Sequence, residues 1–103
     1  RSLRKSLDSY ALLGPWMTTA DEIENPDDLN FHLTVNDEIR QDSNTKFLIF
    51  DCRKLIEYAS RFYTLYPGDI IMTGTPQGMG PLRPGDRLIC EVDIIGRMEI
   101  DVR

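Results

Sequence analysis

Cysteine is scarce in this chain of 103 residues, and long hydrophobic runs are missing. Cys52 and Cys90 are the only cysteines, and they form no Cys-x-x-Cys pair. We therefore expect two buried, reduced thiols in a cytoplasmic protein, not a disulfide or a zinc site. No apolar stretch approaches the roughly 20 residues that span a membrane, and no apolar signal-peptide core follows the basic start. The chain begins with Arg1 and not with methionine, so we expect a processed or truncated piece.

Basic charge and histidine are also in short supply. The 12 basic residues face 17 acidic ones, which leaves a net charge of −5. This balance argues against a nucleic-acid binder, because such proteins present a basic face to the phosphates. His32 is the only histidine, and no Gly-x-Ser-x-Gly motif accompanies it. Hydrolase chemistry built on a Ser-His or Cys-His pair is therefore disfavoured, and a packed or surface role for His32 is the simpler interpretation.

Hydrophobic periodicity predicts a hairpin followed by a helix. Residues 31–35 and 38–41 are paired strands across the turn residues Asn36 and Asp37. Asp51 is placed to cap a helix whose apolar stripe recurs every three or four residues. That stripe comprises Cys52, Leu55, Ile56, Ala59, Phe62 and Tyr63. Upstream, Thr19 and Glu22 have capping-box spacing, but Pro26 limits that segment to one turn.

The remainder predicts strands separated by turns. A Pro-Gly turn precedes a short buried strand over 69–73, and a glycine-rich segment covers 74–81. Two strands, over 87–95 and 97–102, are hinged at Gly96. With about six strands and one substantial helix, we expect an α+β fold that is mostly β.

The glycine-rich segment is the first candidate site. Gly74, Gly78 and Gly80 allow close approach of a ligand to the backbone, and Thr75 and Gln77 could hydrogen-bond a carboxylate or carbonyl. No Gly-Lys-Ser/Thr or helix follows, so neither a Walker loop nor a dinucleotide fingerprint is present. On these residues alone, a tight loop between strands is the favoured interpretation.

Two charged features have ordinary explanations. Lys5 is by default a solvated charge, unless it lies beside developing negative charge that it could stabilise. Glu22 and Glu24 could serve a hard cation, but a solvated acidic loop fits this proline-containing segment better. We assign no metal ligand to the chain.

Three segments, in order and spacing, resemble the fumarylacetoacetate hydrolase family, in its small bacterial, acylpyruvase-like and 2-hydroxyhepta-2,4-diene-1,7-dioate isomerase-like branch. The segments are Lys-Ser-Leu-Asp-Ser-Tyr at 5–10 running into Leu-Gly-Pro-Trp at 13–16, Val-Asn-Asp-Glu-Ile-Arg-Gln-Asp-Ser-Asn-Thr at 35–45, and Pro-Gly-Asp-Ile-Ile-Met-Thr-Gly-Thr-Pro-Gln-Gly at 67–78. Leu7 stands where phenylalanine is more usual in the family. The resemblance extends over essentially the whole chain.

The resemblance implies a mixed β-roll, commonly in a homodimer, with Mg²⁺ or Mn²⁺ chelating a 2-oxo acid substrate. It assigns a catalytic role to Lys5, as an electrostatic partner of the substrate, and substrate binding to Gly74 and Thr75. The family's metal-binding Glu-x-Glu pair and Asp lie upstream of the lysine segment, so Glu22 and Glu24 do not correspond to them. Residues 1–103 are thus expected to form the C-terminal portion of the catalytic domain. Alone, they are expected to be inactive and to expose part of the roll's core.

The leading hypothesis is a metal-dependent enzyme that acts on 2-oxo acids or their enols. Hydrolysis of a C–C bond, decarboxylation and isomerisation remain open, since family members that catalyse each share these segments. Stabilisation of an enolate is the step common to them. The alternative is a non-catalytic, β-rich binding or assembly module, in which Lys5 is a surface charge. We expect a small-molecule substrate and neither a nucleic acid nor a membrane as partner.

Overall fold

The computed structural model describes residues 2–103, and an antiparallel sheet forms their centre. Its strands are β1 (Asn30–Val35), β2 (Glu38–Asn44), β3 (Arg87–Val92) and β4 (Gly96–Asp101), in the spatial order β2-β1-β3-β4. Two α-helices, α1 (Ser2–Ser6) and α2 (Cys52–Ser60), and two short 3-10 turns, Ala20–Glu22 and Thr45–Phe47, accompany the sheet. The expected α+β class, mostly β, is confirmed.

The β1–β2 hairpin forms at the predicted turn. Asn36 and Asp37 both have positive φ angles, 51° and 69°, which is the backbone twist that joins two antiparallel strands most closely. Asn36 also links the turn to the start of β3, because its Oδ1 accepts a hydrogen bond from the Arg87 amide at 2.9 Å. Its Nδ2 donates to Asp86 Oδ1 at 2.8 Å. The turn therefore fixes both the hairpin and its neighbouring strand.

A β-bulge interrupts β2 beside this hairpin. Leu33 pairs with Gln41, whereas the next residue of β1, Thr34, pairs with Ile39. Arg40 is therefore an extra residue without a partner in the ladder. A bulge bends its strand and changes the direction in which the neighbouring side chains leave it.

The predicted helix forms and begins at its predicted cap. Asp51 Oδ1 accepts a hydrogen bond from the Lys54 amide at 2.8 Å, which satisfies one of the open N–H groups of the first turn. The helix ends at Ser60, so Phe62 and Tyr63 lie beyond it and are exposed. Phe62 contacts Tyr58 edge-to-face, with ring centroids 5.3 Å apart.

Three local predictions are wrong. Residues 69–73 form no strand, because no other described strand lies beside them to share a ladder, and Ile70 and Met72 are exposed. Thr19 precedes a one-turn helix but makes no side-chain cap. The strand predicted to reach Ile95 ends at Val92, because the chain turns there, with the Ile95 amide donating to the Asp93 carbonyl at 2.7 Å.

The interior is small for a chain of this mass. The buried apolar side chains are Leu29, Val35 and Leu88. The surface of 8857 Å² exceeds the roughly 5,900 Å² expected of a compact domain of 11.9 kDa. Exposed large apolar side chains are concentrated in residues 47–72, which we term the apolar segment. Its exposed large apolar side chains are Phe47, Ile49, Phe50, Ile56, Tyr58, Phe62, Tyr63, Tyr66, Ile70, Ile71 and Met72.

Residues ahead of β1 are anchored to the sheet through Trp16. Its indole N–H donates to the Ile95 carbonyl at 2.7 Å. The ring lies so close to Gly96 that a Cβ there would come within 2.6 Å of Trp16 Cζ2. Glycine is therefore required at the start of β4 for the ring to fit. Within the described part of the chain, neither helix has the length and hydropathy needed to cross a bilayer.

Candidate functional site

A cleft of about 420 Å³ lies between the glycine-rich segment and the chain that links β2 to α2. Gly74 and Thr75 line one side of it, together with Pro76. The opposite side is largely apolar and includes Phe47, Leu48, Phe50 and Leu55. The structure thus places Gly74 and Thr75 on one wall of one cleft, whereas Gln77 does not line it.

A single side chain from the sheet holds this wall in place. Gln41 Nε2 donates to Thr75 Oγ1 at 2.7 Å and to the Pro76 carbonyl at 3.1 Å. Gln41 follows the bulged residue of β2, and its side chain is half-buried. The two bonds attach the glycine-rich segment to β2, because the same Gln41 amide group holds the adjacent residues Thr75 and Pro76.

Gly78 brings the backbone of the same segment against β2. It has a φ angle of +103°, and a Cβ at this position would lie 2.0 Å from the Arg40 carbonyl oxygen. No real side chain fits in that space, and the left-handed backbone also disfavours one. The glycine-rich segment therefore contacts β2 most closely where Gly78 lies against the bulge at Arg40.

Lys5 lies apart from this cleft. It occupies the last turn of α1 and is exposed, and it is not one of the residues that line the cleft beside Thr75. The structure therefore does not bring the predicted catalytic lysine together with the predicted substrate-binding residues. Its role stays a prediction.

The two cysteines are free and half-buried. Burial raises the pKa of the Cys52 thiol, and a hydrogen bond to Asp27 adds to the effect. Burial alone raises the pKa of the Cys90 thiol. Both are therefore protonated near neutral pH, and a protonated thiol is a poor nucleophile and a poor metal ligand. The Cys52 backbone amide donates to Asp27 Oδ1 at 2.9 Å and is the main cause that lowers the pKa of that carboxyl.

The other candidates on the sequence take up ordinary positions. Glu22 and Glu24 are exposed, as expected of a solvated acidic loop. His32 lies on β1 with its Nε2 3.7 Å from a carboxylate oxygen of Glu91. Residues 2–103 hold no group of three or more His, Cys, Asp or Glu side chains arranged to bind a metal ion.

The chain belongs to the fumarylacetoacetate hydrolase family. A family model described as the fumarylacetoacetate (FAA) hydrolase C-terminal region matches residues 1–103. The predicted resemblance is confirmed, and so is the fold class, because solved structures of the family superpose on the chain.

Three relatives show how much of the chain is shared. A maleylpyruvate hydrolase of Aquipseudomonas alcaligenes is 53% identical over 103 residues, which are 100% of this chain and 36% of that protein. A mitochondrial oxaloacetate tautomerase of Bos taurus is 42% identical over 101 residues, with 91% of this chain and 32% of the relative covered. The crystal structure of maleylpyruvate hydrolase from Sphingobium sp. SYK-6 with manganese(II) and pyruvate superposes with a TM-score of 0.96 at 47% identity. It covers 99% of this chain and 39% of its own. The chain thus spans less than half the length of each.

Gln41 is the site residue that sequence reasoning missed. The sequence places it in the second hairpin strand and in one of the three family-like segments, with no role assigned to its side chain. Its contact with Thr75 joins residues 34 positions apart, and it depends on a bulge that no local pattern announces. The available signal was a polar amide in a strand opposite a glycine-rich segment, which by itself is not specific.

Proposed function

We propose that this chain contributes to a metal-dependent enzyme that acts on 2-oxo acids or their enols, with Gly74 and Thr75 binding the substrate. The observation that carries the proposal is the held wall of the cleft. Thr75 is fixed by Gln41 in a chain that closely resembles a maleylpyruvate hydrolase, whose structure contains manganese(II) and pyruvate. The cleft of about 420 Å³ is large enough for a small oxo acid.

The chemistry proposed for this chain is stabilisation of negative charge. The Thr75 hydroxyl can donate a hydrogen bond to a carboxylate or 2-oxo oxygen, and a donor held in advance costs little reorganisation when charge develops there. Lys5 is proposed as the cation that stabilises the enolate, a role suited to an ammonium group on a flexible stem. Because the relatives include both a hydrolase and a tautomerase, the reaction type remains between C–C bond hydrolysis, decarboxylation and isomerisation.

The metal ion is proposed from the relatives and not from this chain's own ligands. Mg²⁺ and Mn²⁺ bind oxygen ligands, among which carboxylates are the usual protein contribution. Since residues 2–103 present no cluster of such ligands, we assign no metal ligand among them.

The activity test uses the natural full-length protein with Mg²⁺ or Mn²⁺. Acylpyruvates, oxaloacetate and an unsaturated 2-hydroxy diacid cover the three reaction types. We expect turnover of at least one of them. No turnover of any substrate with either metal would contradict the enzyme proposal and favour a binding or assembly module.

The proposed role of Lys5 is tested against a neighbouring charge. Lys5→Ala should lower kcat at least about tenfold with the fold unchanged, because a fixed charge near an enolate contributes several kilocalories per mole. Arg4→Ala is the matched control, since Arg4 lies in the same helical turn and is also exposed. Equal, small effects of both variants would show that Lys5 is a surface charge.

We further propose a homodimer in the cytoplasm. The exposed apolar segment offers a surface for association, either with the rest of the catalytic domain or with a second subunit. Two free thiols support a reducing compartment. Size-exclusion chromatography with light scattering of the natural protein tests the assembly: we expect twice the chain mass, and a monomer would contradict it.

A further inference from the structure

The orientation of the Gln41 amide is determined by its surroundings. The Pro76 carbonyl oxygen can only accept, so the amide group that faces it at 3.1 Å must be the NH₂ group. The same nitrogen faces Thr75 Oγ1 at 2.7 Å. An NH₂ group has two hydrogens and no acceptor capacity while conjugated to its carbonyl. Both hydrogens are therefore used, one on each neighbour.

This arrangement decides which way the Thr75 hydroxyl can act. Because Gln41 donates to Thr75 Oγ1, the Thr75 proton cannot be directed to Gln41. Within residues 2–103, Thr75 makes no other hydrogen bond in which its hydroxyl donates. The proton is thus available to an acceptor in the cleft that Thr75 lines.

The bulge of β2 explains how a strand residue reaches the segment. Arg40 is the extra residue, and Gly78 sits against its carbonyl with no space for a side chain. The Gln41 Cγ would be 3.1 Å from a Cβ on Gly78, so the aliphatic part of Gln41 packs at the same point. The amide is held at its base by packing and at its tip by two hydrogen bonds.

We propose that Gln41 is a positioning residue that leaves the Thr75 hydroxyl proton free to be donated to a ligand in the cleft. The cleft would then offer this proton to a ligand that presents an oxygen acceptor, such as a carboxylate or 2-oxo group. This inference rests on the proposed function, because it assigns a further residue to the same substrate-binding wall.

A double-mutant cycle tests this proposal in the natural full-length protein. Binding of pyruvate in the presence of Mn²⁺ is measured by titration calorimetry for wild type, Gln41→Met, Thr75→Val and the double variant. Each single variant should weaken pyruvate binding about tenfold or more, as expected for a hydrogen bond to a charged acceptor. If Gln41 acts through the Thr75 hydroxyl, the double variant should be no weaker than Thr75→Val alone.

Gln41→Glu adds a signature that a purely structural role would not give. The introduced carboxylate is nearly the same size but can only accept, so it captures the Thr75 proton and pyruvate binding is lost near pH 7. On lowering the pH from about 7 to about 5, the carboxyl begins to protonate and can again donate to Thr75. Binding relative to wild type at the same pH should therefore partly return. Asp42→Asn, on the opposite face of the strand, is the matched control and should bind as wild type does.

The outcomes separate the two claims. Two results would overturn the inference about Gln41 and leave the proposed function standing. One is additive effects in the cycle. The other is unchanged pyruvate binding by Gln41→Met and Gln41→Glu while the wild type binds pyruvate. Absence of pyruvate binding by the wild-type protein would overturn the proposed function and this inference together. Thermal unfolding of each variant identifies any that fail to fold, and the nearly isosteric Gln41→Glu then decides the question.

Discussion

The sheet and the chain between Thr45 and Leu82 are held together in different ways. The sheet is stabilised by backbone ladders between all neighbouring strands, and its two hairpins, β1–β2 and β3–β4, each close with a short turn. The other region has α2 as its main regular element and depends on a few individual contacts. They include the Asp51–Lys54 and Gln41–Thr75 hydrogen bonds and the close approach of Gly78 to the Arg40 carbonyl. The substrate-binding candidates lie in the second region. The positions of these candidates therefore depend on a small number of contacts with the sheet, and single substitutions can remove those contacts.

The largest effect is expected where the two regions touch most closely. In Gly78→Ala the new methyl group would meet the Arg40 carbonyl, in a backbone conformation that alanine disfavours. We expect a loss of about 2–4 kcal/mol in the free energy of unfolding, or release of the segment from β2 with loss of pyruvate binding. Denaturant unfolding and calorimetry measure both.

Gly68→Ala separates the two causes. Gly68 has a similar φ angle of +95°, but a Cβ there would meet nothing within 4 Å. Its effect should be confined to the backbone cost of about 1 kcal/mol. If Gly68→Ala and Gly78→Ala cost the same, the close docking on Arg40 contributes nothing.

The next effect concerns the buried amide at the end of β2. Asn44 Nδ2 donates to Asp28 Oδ1 and Asn30 Oδ1 at 3.0 and 2.9 Å, and Oδ1 accepts from the Lys46 amide at 2.8 Å. Asn44→Ala leaves these groups without their partner and should lower the free energy of unfolding by about 1–3 kcal/mol. Ser43→Ala is a suitable control in the same strand. Equal stability of both variants in denaturant unfolding would show that the structure at the end of β2 does not depend on Asn44.

A smaller effect is expected at Trp16, which anchors the residues ahead of β1, termed here the arm, to the sheet. Trp16→Phe removes the indole donor to Ile95 but retains an aromatic ring, and should cost about 1 kcal/mol. Hydrogen exchange in residues 10–18 should become faster while exchange within the sheet is unchanged. Tyr10→Phe, which removes a hydroxyl from an exposed ring, is the control. Unchanged exchange in Trp16→Phe would mean that the arm is held by other contacts.

The smallest effect is a pH dependence within the sheet region. Hydrogen bonds from the Arg83 backbone amide and then from the Asn36 side chain lower the pKa of Asp86. A lowered folded-state pKa stabilises the protein above the unfolded value of about 3.9, and that contribution disappears as the pH falls through the folded value. The melting temperature of wild type should therefore exceed that of Asp86→Asn at neutral pH. The difference should shrink below about pH 4, and a constant difference would contradict the titration of Asp86.

The comparison also explains what the sequence could reveal. The hairpin turn at Asn36-Asp37 and the Asp51 cap depend on local chemistry. Both could therefore be predicted from the residue types at those positions, and both are confirmed. Residues 69–73 have the composition of a buried strand, but a strand needs a neighbour, and none of the described strands pairs with them. Gly74 and Thr75 are predicted as substrate-binding residues through resemblance to a known family, and that role stays a prediction. Gln41 was missed because its contact depends on a bulge, which is a property of two paired strands together.

The most direct test of the held wall is a crystal structure of the natural full-length protein with Mn²⁺ and pyruvate. We expect a pyruvate oxygen within about 3.2 Å of Thr75 Oγ1, on the side away from Gln41, with both Gln41 hydrogen bonds retained. Pyruvate bound elsewhere, or bound with Thr75 making no contact to it, would contradict the assignment of this cleft as the substrate site.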